Sequence, residues 1–210
     1  MLVRIHSIAK NRFDTSTGSH DWEHTLRVHR LCWRIGPPEG ADMAVLSAAA
    51  YLHDIGRSFQ DRSRGRICHA RKGAELAKEI IRPLPFSKDQ KAKILDAIRS
   101  HRFRGDHRPQ DIEAKVLFDA DKLDAIGAVG VARAFLFAGE VGARLHNPGV
   151  DLQTTRPYSK DDTGFREFQL KLVKIKDRIL TRTGKKIAGD RHRYMADFFK
   201  RFQEEYEGKR

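Results

Sequence analysis

AVLSAAAYLHDIGR, residues 44–57, is an alanine-rich apolar run that ends on a histidine, an aspartate, a glycine and an arginine. Alanine and leucine favour helix, and glycine just past an apolar run favours a stop, so residues 41–53 are expected to form a buried helix ending near Gly56. The run is too short to cross a bilayer, which needs about 20 apolar residues. It therefore carries His53 and Asp54 into a protein interior, where neither is stable without a partner. A divalent cation is one solution, because it replaces lost hydration with coordinate bonds and suits mixed imidazole and carboxylate ligands. A hydrogen-bonded His–Asp pair within the core is the other.

Outward from this stretch the chain reads as helix after helix. Leu2, Ile5, Ile8 and Ala9 form a short amphipathic stripe. Ser19 is placed to cap a helix through Trp22, Leu26, Leu31 and Trp33, which Gly36-Pro37-Pro38 stops. Both tryptophans are expected in the core. A helix near 69–82 ends at Pro83, and Ser87 with Gln90 makes a capping box for a helix to about Ser100. Asp111 can cap another, with Ile112, Val116, Leu117, Leu123 and Ile126 turned inward. Residues 128–146 continue as helix, weakened by glycines. NPGVDLQTTRPYSKDDTG, residues 147–164, carries breakers throughout and reads as a long loop of the kind that serves as a lid or mobile connection. Two further helices are expected, about 165–182 and 186–207, separated at Thr183-Gly184. No segment alternates with the period of a strand. The expected fold is all-α, with one domain over residues 1–210.

Lys and Arg number 41 against 28 Asp and Glu, a formal net charge of +13. Such an excess attracts polyanions, which makes phosphorylated metabolites, nucleotides and nucleic acids plausible partners. The charge is clustered. Five arginines and a lysine face only Asp61 between Arg57 and Lys72, and four arginines face Asp106 between Arg99 and Arg108. Cys32 and Cys68 make no disulfide framework and suit a reducing compartment. The first residues, MLVRIHSIAKNRF, interrupt their apolar pattern with charge and do not read as a signal peptide. A cytoplasmic protein without a membrane span is expected.

Three other groups stand beside His53-Asp54. HDWEHTLRV places His20 and His24 on one helix. FDADKLDAIG places Asp119, Asp121 and Asp124 on a semi-buried helix, where three acids repel unless a cation or basic groups neutralise them. Spacing puts Asp121 and Asp124 on one face and turns Asp119 away. His69 and His101 each stand at a helix end beside arginines.

HTLRV at 24–28, LHDIGR at 52–57, HARKGAELA at 69–77, IRSHR at 98–102 and DADKLDAIG at 119–127 follow one another in an order that resembles the HD-domain phosphohydrolase superfamily. The tail is similar to that of small stand-alone bacterial and archaeal members. The resemblance covers a motif core of about 20–130 and implies an HD-domain-like helical bundle. A C-terminal helix pair, at about 165–207, extends it. It implies His24, His53, Asp54 and Asp121 as metal ligands. It further implies hydrolysis of phosphate esters or anhydrides, commonly of nucleotides. Branches with two metals carry added histidines, which fall here on His69 and His101. Asp54, His69 and His101 are therefore the candidate catalytic residues. Asp119 and Asp124 are expected outside the primary ligands, with Asp124 orienting a ligand histidine. Arg57 stands where one signalling branch has lysine, and that branch's Gly-Tyr-Pro motif is absent, which argues against cyclic dinucleotide turnover.

The chemistry is consistent with that resemblance. A bound cation acidifies its water and polarises the phosphorus centre, and basic side chains then hold the phosphoryl oxygens. Arg57, Arg71, Lys72 and Arg104 are the candidates for this contact. The ligand types suit manganese, iron, cobalt, nickel or zinc better than magnesium. The expected substrate is small and phosphorylated, with a nucleotide foremost. The competing expectation is a non-catalytic basic module that binds nucleic acid and keeps a vestigial metal.

Overall fold

Caps and breakers divide the chain into helices much as the sequence pattern requires. A computed structural model describes residues 1–13, 21–63, 65–102 and 107–210. In chain order they form α1 (Leu2–Phe13), α2 (Trp22–Ile35), α3 (Met43–Leu52), α4 (Arg57–Arg62), α5 (His69–Ile81), α6 (Lys88–Ser100), α7 (Ile112–Leu123), α8 (Gly127–Glu140), α9 (Gly164–Leu170) and α10 (Arg182–Tyr206). Short 3-10 turns lie at Pro37–Glu39, Leu172–Lys174 and Lys176–Arg178. The described residues contain no strand, so the fold is all-α. No helix among them is long and apolar enough to cross a membrane.

Two compact units divide the chain. The first comprises Met1–Asp121 with Leu180–Gly184, and the second Lys122–Ile179 with Lys185–Arg210. In the first unit α3 is the buried centre. Val45, Leu46, Ala48, Ala49, Ala50 and Leu52 are wholly shielded from solvent. Their small side chains let α1, α2, α5 and α6 pack against it. Asp42 caps α3 by accepting from the amides of Ala44 and Val45, and its other oxygen accepts from the Gln90 amide at 2.8 Å. Gln90 also completes the capping box with Ser87. One residue thus ties the start of α6 to the start of α3.

Gly56 sets the path of the backbone beyond α3. A Cβ there would lie 2.3 Å from the His69 carbonyl oxygen and 2.6 Å from the Gly73 nitrogen. At Gly73 it would lie 3.2 Å from the His53 carbonyl oxygen. The glycines of LHDIGR and HARKGAELA therefore allow two backbone segments to touch, which brings His69 alongside His53-Asp54. Asp119 closes the unit from the far end of the chain. Its buried carboxylate accepts from the Leu180 amide at 2.8 Å and from both the amide and hydroxyl of Thr181 at 2.7 Å.

The second unit is built on phenylalanine. Phe168 stacks on Phe199 at 4.3 Å, and Phe135, Phe165 and Phe202 pack around them. The breaker-rich segment is tied by its own hydrogen bonds rather than left slack. Arg166 donates to Asp162 at 2.7 Å, to the Thr155 carbonyl at 3.0 Å and to the Thr155 hydroxyl. Asn147 donates to the Asp161 carbonyl and accepts from Thr163.

Several expectations need correction. Ser19 lies outside the described residues, and Asp21 caps α2 instead, accepting from the His24 amide at 2.9 Å. The helix expected over 128–146 stops at Glu140, shortly before Gly142 adopts a left-handed backbone with φ of 67°. The helix expected over 165–182 ends at Leu170, because 3-10 turns then direct Leu172, Ile175 and Ile179 inward. Thr183-Gly184 does not separate it from the last helix but belongs to the first turn of α10, where the Thr181 hydroxyl accepts from the Gly184 amide. Trp33 is 52% exposed rather than in the core.

Gly56→Ala is expected to cost about 3 kcal/mol of stability, since the new methyl meets backbone that cannot yield cheaply. Gly73→Ala should cost clearly less. Urea denaturation of both variants checks this, and equal costs would contradict the close approach.

Candidate metal centre

His24 occupies the first turn of α2, fixed by the same Asp21 cap that starts the helix. His53 follows the last residue of α3, and its Nδ1–H donates to the Ala50 carbonyl at 2.8 Å. His69 opens α5, with Nδ1 donating to the Gln60 side-chain oxygen at 2.8 Å. His101 follows α6, with Nδ1 donating to the Ile98 carbonyl at 2.6 Å. A carbonyl oxygen only accepts, so each of these three rings carries its proton on Nδ1. Each Nε2 is then a bare lone pair aimed at the same interior.

Asp54 stands among them, 1% exposed. One carboxylate oxygen lies 3.9 Å from the Nε2 atoms of both His24 and His53. The other lies 3.5 Å from the Nε2 atoms of both His69 and His101. Asp121, on α7, brings Oδ1 to 3.4 Å from His24 Nε2 and is the most open of the set at 14% exposure. The donors therefore form two groups, His24–His53–Asp121 and Asp54–His69–His101.

The crowding of these nitrogens is the test of whether a metal fits, and between His69 and His101 it sets lone pair against lone pair. His24 and His53 approach Nε2 to Nε2 at 3.4 Å, and His69 and His101 at 3.1 Å. Protonating a ring would supply a donor, but burial opposes the charge. It pushes His53 down to about 4, and burial likewise lowers His69, in both cases against the pull of Asp54. Neutral imidazoles converging with carboxylates are the ligand set for a divalent cation. Donors about 2.1 Å from a common centre stand about 3.0–3.5 Å apart in tetrahedral or octahedral geometry, which matches these spacings. The residues fit the group.

Arg57 begins α4 directly after Gly56. Its Nη2 lies 3.2 and 3.4 Å from the two Asp54 oxygens. Burial works against its charge, but Asp54 and Asp121 outweigh that and raise its pKa. The other phosphate candidates are placed differently. Lys72 pairs with Glu75 at 2.9 Å and lies over the Phe59 ring, while Arg71 is exposed. Arg104 and His20 lie outside the described residues. Asp119 is taken up by Leu180 and Thr181, away from the donor cluster. Asp124, expected to orient a ligand histidine, accepts from Arg133 at 2.8 Å. Gln60 is the functional neighbour that sequence reasoning missed. Nothing in its local pattern separates it from a surface glutamine.

The HD-domain family model matches residues 21–126. YpgQ of Bacillus subtilis is 33% identical over 203 residues, covering 93% of this chain and 88% of YpgQ. The crystal structure of YpgQ in complex with ADP matches with a TM-score of 0.75 at 29% identity, over 98% of this chain and 97% of that one. A Bacillus thuringiensis HD-superfamily hydrolase matches with a TM-score of 0.76 at 27% identity, over 98% and 96% of the two chains. Ribonuclease Y of Chloroflexus aurantiacus is 30% identical over 119 residues, which span 57% of this chain and only 21% of that enzyme. The chain belongs to the HD-domain family, with the fold of its hydrolases and a buried His/Asp cluster able to hold divalent metal.

Metal analysis of purified variants is expected to separate the two donor groups. His24→Ala and Asp121→Asn should lose one ion per chain, His69→Ala and His101→Ala a different one, and Asp54→Ala both. Asp119→Asn should keep full metal content. Loss of metal in that variant, with retention in Asp121→Asn, would move the ligand to the other aspartate.

Proposed function

We propose that the protein is a metal-dependent phosphohydrolase acting on a small phosphorylated substrate, with a nucleotide foremost. The observation that carries this reading is Asp54, whose two oxygens face two separate pairs of imidazoles while Arg57 stands against it. In this reading His24, His53, Asp54 and Asp121 hold one cation. His69 and His101, with Asp54, would hold a second. When bound, the cations supply an acidified water and neutralise phosphoryl charge.

The chain's own residues do the rest. The carbonyls of Ala50 and Ile98 and the side chain of Gln60 fix the imidazoles as neutral Nε2 donors, so no ring needs to lose a proton before it binds. Arg57 sets its guanidinium against both Asp54 oxygens. Arg57, at the edge of the cluster, presents a fork-shaped donor to a phosphoryl oxygen. Asp121, the more exposed ligand, marks the side from which substrate enters. The ADP bound by YpgQ supports a nucleotide, and the formal charge of +13 favours polyanionic substrates generally. Two free cysteines, Cys32 and Cys68, suit a reducing cytoplasmic setting.

The likeness to ribonuclease Y favours one second reading, cleavage of a phosphodiester in RNA. Phosphate release from a panel of nucleotides, set against cleavage of labelled RNA, separates the two.

Nucleotide turnover is expected to stop on chelation and to return with manganese or cobalt more fully than with magnesium. Asp54→Ala should lower kcat by about 10³-fold. Arg57→Ala should raise KM more than it lowers kcat, and Arg57→Lys should recover only part of the loss. Full turnover in demetallated protein would overturn the mechanism.

A further inference from the structure

A cavity of about 460 Å³ opens between α1, α2 and α3 in the first unit. It is not part of the donor cluster. On α2, Trp33 is nine residues from His24 and therefore half a turn out of phase with it. Leu2 and Val3 form one wall, and the rings of His6, His29, Trp33 and Tyr51 form the others.

These rings hold one another in place. His29 lies on Tyr51 with centroids 4.3 Å apart and planes 18° apart. Trp33 Nε1 donates to His29 Nε2 over 3.1 Å. His6 stands edge-on to Tyr51 at 5.2 Å and 87°. Two features are left unsatisfied by this packing. Trp33 and Val3 present apolar surface to water, at 52% and 80% exposure. Ser47, the most buried lining residue at 1%, has a hydroxyl with no hydrogen-bond partner. A buried hydroxyl left unpaired is costly, and a ligand that pairs it recovers that cost on binding.

No Asp, Glu, Lys or Arg lines the pocket. His29 is held neutral, its pKa lowered to about 4 by burial, then by His6 and Arg30. A phosphate therefore finds no Lys or Arg here. The volume falls within the roughly 300–1,000 Å³ of small-molecule sites, and such sites combine apolar walls with a few placed polar groups. Ring faces and edges in a fixed frame favour a flat aromatic guest. We propose that this pocket is a second ligand site, taking an uncharged planar aromatic molecule whose edge hydrogen-bonds to Ser47. A nucleoside base and an indole-type ring share that chemistry.

Adenosine and indole are the probes, titrated separately into the full chain by calorimetry, with and without EDTA. At least one is expected to bind saturably, one per chain, with an affinity that chelation leaves unchanged. Adenosine alone would assign a nucleobase, indole alone an indole-type metabolite, and both a site that reads ring shape. Ser47→Ala should weaken binding about tenfold by removing the hydrogen bond. Its thermal midpoint should not fall, because the lost hydroxyl bonds nothing in the free protein. Trp33→Ala, at an exposed position, should weaken binding at least as much and leave phosphate release intact. The proposal is overturned if neither probe saturates at millimolar concentration, or if both variants bind as the parent does. A lowered midpoint in Ser47→Ala overturns it too, by showing the hydroxyl already paired. Conversion of a dimer to a monomer by Trp33→Ala, without ring binding, would assign the face to a second copy of the chain instead.

Discussion

A carboxylate in a protein interior must be compensated, and the compensation of Asp54 organises the first unit. The Arg57 guanidinium meets that carboxylate with positive charge, while His53, His69 and His101 turn lone pairs toward its oxygens, a combination that a divalent cation would reconcile. Arg57 cannot drift without leaving the charge in a low-dielectric core, where the penalty is several kcal/mol. The helices are therefore placed by packing and by electrostatics at once. The turn after α3 supplies the anion, α2 and α7 reach one oxygen's side, and His69 at the head of α5 and His101 just past α6 reach the other.

Backbone proximity makes this possible. Ordinary helix packing holds axes about 8–10 Å apart, wider than the backbone contact between the turn after α3 and the start of α5. The Gly56–Gly73 contact closes that distance locally. The alanines of α3 do the same more gently along their length. The arrangement is stable because the tight places carry no side chain and the polar places carry several.

Much of this is legible in the sequence, for physical reasons that differ by residue. His53-Asp54 stands out because an apolar helix leads into it, and the capping box at Ser87 because its chemistry is local. The ordered motifs bring His24, His69, His101 and Asp121 into view without any geometry. What escapes the sequence depends on contacts distant in the chain. Gln60 looks like any helical glutamine until His69 arrives, nine residues on, at its side chain. Trp33 has a core residue's composition and a surface residue's position. The ends of α8 and α9 are hidden because 3-10 turns and left-handed glycines shorten helices without changing their apolar period.

The contact between Asp119 and Leu180–Thr181 has a consequence for how the chain comes into being. Domains generally acquire structure as they leave the ribosome, from the N-terminus onward. The motif block ends near residue 127, yet the donors that satisfy Asp119 sit more than fifty residues later. During synthesis Asp119 therefore lacks these donors until Leu180 and Thr181 have been made. The intervening second unit is then more than an appendage. Its larger part, Lys122–Ile179, must be made before Asp119 can meet Leu180 and Thr181.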